Sequence, residues 1–180
     1  VAKTNSAQTV DVGAGIADYV KAFRAFLDIG DYFTINISCP NAFGGQPFTE
    51  GSLLERLLSA VDACGVRQPV FVKLSPDLTN LQLNELLRVI DNHRIAGIVC
   101  TNLTKDESKM GIPKSDIPGR GGISGGAVRA LADVQLLHIA RRTKGKYALI
   151  GVGGVFSAED AYRKIRSGAS LVQLITGMVY

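Results

Sequence analysis

The chain has 180 residues, 46% hydrophobic and 20% charged, with 20 Lys and Arg against 16 Asp and Glu and a formal net charge of +4. That is the composition of an ordinary folded domain, and it excludes disordered and fibrous classes. The basic excess is too small and too evenly spread to argue for a nucleic-acid surface, and no run approaches the ~20 apolar residues of a membrane-spanning helix.

In chain order, a helix is predicted over about 14–28 and a strand over Tyr32–Ile37. Thr49-Glu50 reads as a helix start ahead of Leu53, Leu54, Leu57, Leu58 and Val61, which share one helical face. A strand follows at Pro69–Leu74. Leu81, Leu83, Leu86, Leu87 and Ile90 repeat the helical spacing before the strand Ala96–Cys100. Helices over about 126–142 and 158–167 then alternate with strands at Tyr147–Ile150 and Ser170–Ile175, and Ser157-Ala158-Glu159-Asp160 places acidic residues in a first turn.

Strict alternation implies parallel strands joined by right-handed crossovers, as in an open doubly wound sheet or a closed barrel. Nearly every predicted strand ends in polar or glycine-rich residues, which favours the parallel (β/α)8 TIM barrel, whose chemistry comes from several strand ends at once. A whole barrel takes about 250 residues. The expectation is therefore a single domain over 1–180, an incomplete barrel lacking the first strands and the last helix, with Val1-Ala2-Lys3 as the tail of a strand. Side-chain alternation turns Thr34, Asn36 and Lys73 towards the barrel interior, and Ile35, Ile37 and Cys100 towards the covering helices.

Gly151-Val152-Gly153-Gly154 follows one strand and precedes a helix, a turn whose N–H groups can approach a phosphate. The next strand ends Gln173-Leu174-Ile175-Thr176-Gly177, and phosphate sites in such barrels use the last two strands' loops. Lys73 closes an apolar strand, where an inward ammonium needs an anion or a polar ligand. Asn36, Asn41 and Asn102 offer neutral donors and acceptors for a planar ligand of carbonyls and N–H groups. Cys39 sits just past a strand, either as a small buried side chain or as a base or nucleophile. Cys64, on a predicted helix, and Cys100 read as structural. The three cysteines are odd in number and far apart, and His93 and His138 lie in or beside helices, so no disulfide framework, His-based triad or metal site is suggested. A reducing, cytoplasmic setting is expected.

Several segments in order resemble the dihydroorotate dehydrogenase family: Asn36-Ile37-Ser38-Cys39-Pro40-Asn41, Val72-Lys73-Leu74-Ser75-Pro76-Asp77-Leu78-Thr79, Thr101-Asn102, Gly121-Gly122-Ile123-Ser124-Gly125, Gly151–Gly154 and Gly168-Ala169-Ser170-Leu171-Val172-Gln173-Leu174. The resemblance implies a flavin mononucleotide (FMN) barrel that oxidises dihydroorotate to orotate in pyrimidine synthesis. Cys39 would be the catalytic base, and Asn36, Asn41 and Asn102 would hold the substrate. The cofactor would be held by Asn36, Lys73, Thr101, Ser124, Gly125, Gly153, Gly154, Ile175 and Thr176. The motifs after Val72 look most like class 2, which implies quinone as electron acceptor and peripheral inner-membrane association of the full-length protein. Cysteine at position 39 is instead the habit of class 1, whose members use fumarate or NAD. Leu103 and the loop Ala42–Phe48 also depart from the family's common form. Two other readings compete: a different flavin-dependent pyrimidine oxidoreductase, and a non-catalytic barrel that binds a phosphorylated ligand.

Overall fold

Short β-branched runs form strands and leucine-spaced segments form helices in the predicted order. The computed structural model describes residues 1–39, 41–106, 108 and 121–180; Pro40, inside the Asn36–Asn41 motif, lies outside the described residues. The elements are α1 (Val12–Phe26), β1 (Phe33–Asn36), α2 (Gly51–Asp62), β2 (Val70–Lys73), α3 (Asn80–Ile90), β3 (Gly97–Cys100), α4 (Arg129–Thr143), β4 (Ala148–Val152), α5 (Ala158–Arg166) and β5 (Leu171–Gln173). The strand order is β1-β2-β3-β4-β5, each strand following its sequence predecessor. This is the strand–helix succession of part of a (β/α)8 barrel. The chain divides into two compact units, Val1–Val72 with Leu78–Ala96, and Lys73–Asp77 with Gly97–Tyr180.

In the first unit the apolar stripes of the helices make the core. Tyr19 and Phe23 of α1 are buried, as are Leu54, Leu57, Leu58 and Val61 of α2 and Leu83, Leu86, Leu87 and Ile90 of α3. In β1, Phe33 and Ile35 are buried while Thr34 and Asn36 are half-buried, the predicted alternation. Val1 runs beside this strand: its ammonium donates to Thr34 O at 2.6 Å and its carbonyl accepts from Asn36 N at 2.8 Å, the pattern of a parallel pair.

Two local expectations are corrected here. Thr49 does not cap α2. It ends a short 3-10 turn, Pro47–Thr49, where its hydroxyl donates to Gln46 O at 2.7 Å, and Glu50 takes the cap position without a side-chain bond. A proline two residues earlier favours this tight turn and uses up the threonine hydroxyl. Cys64 lies past the end of α2 rather than on it, its thiol donating to Ala60 O at 3.3 Å.

The start of α3 is a capping box, with Thr79 Oγ1 accepting from Gln82 N at 3.2 Å and Gln82 Oε1 accepting from Thr79 N at 2.9 Å. Thr79→Ala is expected to cost about 1 kcal/mol, read as a lower urea midpoint at unchanged slope.

In the second unit β3 and β5 flank β4 in parallel, with Val99 opposite Ile150 and Val152 opposite Gln173. The segment Lys73–Asp77 belongs to this unit: Leu74 N donates to Val99 O and Asn102 N to Leu74 O, both at 3.1 Å. Helix α4 starts at Arg129, after a 3-10 turn over Gly125–Val128, and buries Ala132, Leu136 and Ile139. Ser157 caps α5 by accepting from Asp160 N at 3.2 Å. Cys100 is fully buried, and burial pushes its thiol up to about 12. With Lys164 of α5 as its charged neighbour, it lies on the helix-facing side that alternation assigns to it.

Candidate functional site

The second unit carries a cavity of about 240 Å³ at the C-terminal ends of its strands. Lys73, Thr101, Asn102, Ser124, Gly125, Gly153, Gly154, Ile175 and Thr176 all line it, together with Leu103, Phe156 and Gly177. β2, β3, β4 and β5 contribute by ending there. Lys73 is the last residue of β2, Thr101 and Asn102 follow β3, Gly153-Gly154 follow β4, and Ile175-Thr176 lie just beyond β5.

Lys73 is half-buried, and its ammonium has no hydrogen-bond or ion-pair partner among the described residues. Burial therefore lowers its ammonium's pKa from the ordinary lysine value. Thr101 is buried at 1% exposure, with its N–H donating to Val152 O at 3.1 Å, which fixes the end of β3 against β4. The Asn102 carboxamide oxygen accepts from Leu103 N at 2.9 Å, which holds the amide at the strand end. The Ser124 and Thr176 hydroxyls lie 3.1 Å apart, bringing two loops 52 residues apart in sequence to one wall.

The glycine turn is bent by left-handed backbone at Gly153 (φ 108°) and Gly154 (φ 75°). A Cβ on Gly154 would come within 2.8 Å of the Arg129 Cα. The glycine is thus required by close packing on α4 as well as by its φ, a reason that the motif alone does not reveal. Val155, next along this turn, is a buried residue whose N–H has no hydrogen-bond partner among the described residues. A donor of this kind is costly when buried unless a ligand accepts from it. Together with the unpartnered ammonium of Lys73, it gives the cavity the donors that an anionic, phosphate-bearing ligand requires.

The first unit has its own cavity, of about 140 Å³, lined by Asn36, Cys39 and Asn41 with Lys3, Asn5, Tyr19 and Phe48 among others. Asn36 Oδ1 accepts from Ser38 N at 3.2 Å and from Ser38 Oγ at 2.9 Å, so the carboxamide shapes the turn leaving β1. Tyr19 donates its hydroxyl to Asn36 O at 2.8 Å. Burial, reinforced by nearby Cys39, pushes the Tyr19 phenol above its ordinary value, so it remains a neutral donor. Lys3 Nζ donates to Phe43 O at 2.5 Å and places a positive charge on the wall. Cys39 is half-buried and borders the cavity.

Asn36, Cys39 and Asn41 thus share the first unit's cavity, and the other nine predicted positions share the second's. Leu103, noted above as a departure from the family's form, lines the second cavity. Lys3, Tyr19 and Phe156 are lining residues that the sequence does not single out as site residues. Lys3 and Tyr19 lie more than 15 residues from Cys39 with no motif of their own. Gly177 closes the strand-end segment expected to meet a phosphate, and it lines the same cavity as Ile175 and Thr176.

Strand ends, glycine turns and a partnerless lysine around one cavity are the features of a (β/α)-barrel-type domain with an open site at its strand ends. Comparison with known proteins narrows this: the family described as "Dihydroorotate dehydrogenase" matches residues 3–180, and the chain belongs to that family. It is 39% identical over 180 residues, 94% of this chain and 47% of the relative, to "Dihydroorotate dehydrogenase (quinone)" of Synechococcus elongatus. To the protein of the same name from Brucella ovis it is 37% identical over 185 residues, 95% of this chain and 50% of the relative. Ligand-free DHODH from Eimeria tenella superposes with a TM-score of 0.82 at 26% identity, covering 92% of this chain and 51% of that one. The chain spans about half the length of the curated relatives it matches. Among the described residues no helix is long and apolar enough to cross a membrane.

Proposed function

We propose that this chain forms the cofactor-binding part of an FMN-dependent enzyme that oxidises dihydroorotate to orotate in pyrimidine synthesis and passes the electrons to quinone. The observation that carries the reading is the second unit's cavity, which gathers eight of the nine residues assigned to FMN by resemblance. The residues suit the group. Val155 N–H and the Gly153-Gly154 turn offer backbone donors to a phosphate, the Ser124 and Thr176 hydroxyls add side-chain partners, and Lys73 offers an uncommitted ammonium to an electron-rich ring edge.

FMN, when bound, supplies the two-electron acceptor for the C–H bond that is oxidised. The protein's own residues do the rest. The family resemblance assigns Asn36, Asn41 and Asn102 to hydrogen bonds with the substrate's ring amides and carbonyls, which would fix its orientation. Cys39 Sγ takes the proton from the substrate carbon next to a carbonyl. Quinone as acceptor, and a peripheral place at a membrane for the whole protein, rest on the class 2 character of the motifs after Val72. Cys39 is the feature favouring a class 1 acceptor.

The purified protein is expected to carry a flavin absorbance that bleaches anaerobically when dihydroorotate is added and returns when a quinone follows. Recovery with fumarate or NAD instead would reassign the acceptor. A spectrum that responds only to another reduced pyrimidine would reassign the substrate, and absence of flavin would leave a non-catalytic binding domain.

A further inference from the structure

We propose that Arg129 and Asp160 are positioning residues that lock the Gly153–Phe156 turn from behind and thereby set the affinity for the phosphate end of the cofactor. The proposal rests on the FMN reading above. Neither residue lines the cavity.

Arg129, the first residue of α4, donates from Nε to Gly154 O at 2.9 Å and from Nη2 to Asp160 Oδ2 at 3.2 Å. Asp160 Oδ2 also accepts from Phe156 N at 3.0 Å. One arginine–aspartate pair therefore holds a carbonyl and an N–H two residues apart on the same turn.

The pair is itself anchored. Arg163 Nη2 contacts Asp160 Oδ1, and Arg163 Nε lies 3.4 Å from Asp133 Oδ2. Lys164, buried at 1% exposure, places Nζ 2.6 Å from Asp133 Oδ1. Burial acts to raise the Asp160 carboxyl, but the Phe156 N–H and the Arg129 and Arg163 guanidiniums outweigh it and hold its pKa below the ordinary carboxylate value. These charges form a network between α4 and α5 behind the turn, in which Lys164 and Asp133 are an ion pair by distance without hydrogen-bond geometry.

The turn needs such support because two adjacent left-handed glycines are the most conformationally free residues a chain can use. A backbone cradle binds an anion well only when its N–H groups are already aligned, since ordering them on binding costs affinity. The peptide after Gly154 is planar and trans, so holding the Gly154 carbonyl on Arg129 turns the Val155 N–H to the opposite side. Val155 is a cavity residue, and its N–H has no hydrogen-bond partner among the described residues. Arg129 thus acts on the phosphate through the backbone without touching it.

The test uses the full chain depleted of flavin and titrated separately with FMN and with riboflavin, which lacks the phosphate, by flavin fluorescence. Arg129→Ala is expected to weaken FMN binding by ~10–100-fold, the usual loss when an outer-shell positioning partner is removed. Riboflavin affinity should change less than about two-fold, because the ring's contacts are elsewhere. Arg129→Lys, which keeps the charge and one donor, should recover part of the loss, and Asp160→Asn should reproduce the loss in milder form. Loss of FMN and riboflavin affinity to the same degree, or wild-type FMN affinity in both Arg129 variants, would overturn the proposal. Should the unsubstituted protein bind FMN no better than riboflavin, the cofactor reading itself fails, and that outcome is seen before any variant is made.

Discussion

Replacing Cys39 with alanine is expected to leave flavin bound and to slow its reduction by dihydroorotate by about 10²–10⁴, the usual contribution of a general base. Cofactor retention follows because the residues assigned to FMN, Asn36 aside, line the second unit's cavity, whereas Cys39 borders the first unit's. The neighbours of Cys39 offer no ready substitute base. Tyr19 is held neutral by burial and already donates to Asn36 O, and Lys3 is a cation committed to the Phe43 carbonyl. Asn36, Asn41 and Asn5 do not ionise. Anaerobic stopped-flow bleaching at saturating dihydroorotate measures the effect, and wild-type rates in the alanine variant would remove Cys39 from the mechanism.

Cys39→Ser carries a second expectation. A hydroxyl gives up its proton far less readily than a thiol, so the variant should keep partial activity with its pH optimum displaced upward. An unchanged pH profile would assign the titrating step to another group.

Most of the architecture can be read along the chain because strand and helix each bury one face. The Phe33/Ile35 alternation and the Leu83, Leu86, Leu87, Ile90 stripe are local patterns that tertiary packing only confirms. The second unit's ligand residues were legible for a related reason: parallel strands deliver their last residues to one end, so Lys73, Thr101 and Gly153 share an address fixed by topology. What remained hidden depends on distances across the fold. Nothing beside Arg129 in sequence marks it as the partner of a carbonyl 25 residues away, and Asp160 reads as an ordinary acidic first-turn residue until its bond to Phe156 N is seen. The start of α2 is legible at Thr49-Glu50, but that the Thr49 hydroxyl bonds Gln46 O instead of capping the helix depends on the tight turn at Pro47.

The same turn gives a large stability effect from a single methyl group. Gly154→Ala should destabilise the protein by about 2–5 kcal/mol, combining about 1–2 kcal/mol for a Cβ in the left-handed region with about 1–3 kcal/mol for overpacking. At this chain length that corresponds to a fall in Tm of roughly 5–15 °C. The packing part cannot be relieved by a rotamer change, because the new Cβ would meet the Cα of Arg129 at 2.8 Å and that atom belongs to the first residue of α4. Gly145→Ala supplies the control: its φ of 81° is equally left-handed, but nothing lies within 4 Å of its Cβ position, so only the backbone part should be lost. Thermal unfolding of the two variants separates the contributions. Equal losses would mean that α4 gives way without cost and that the glycine is needed for its φ alone. A loss at Gly154 exceeding that at Gly145 by a kilocalorie or more would place the rigid seat of the turn on Arg129, where the phosphate cradle is proposed to be held.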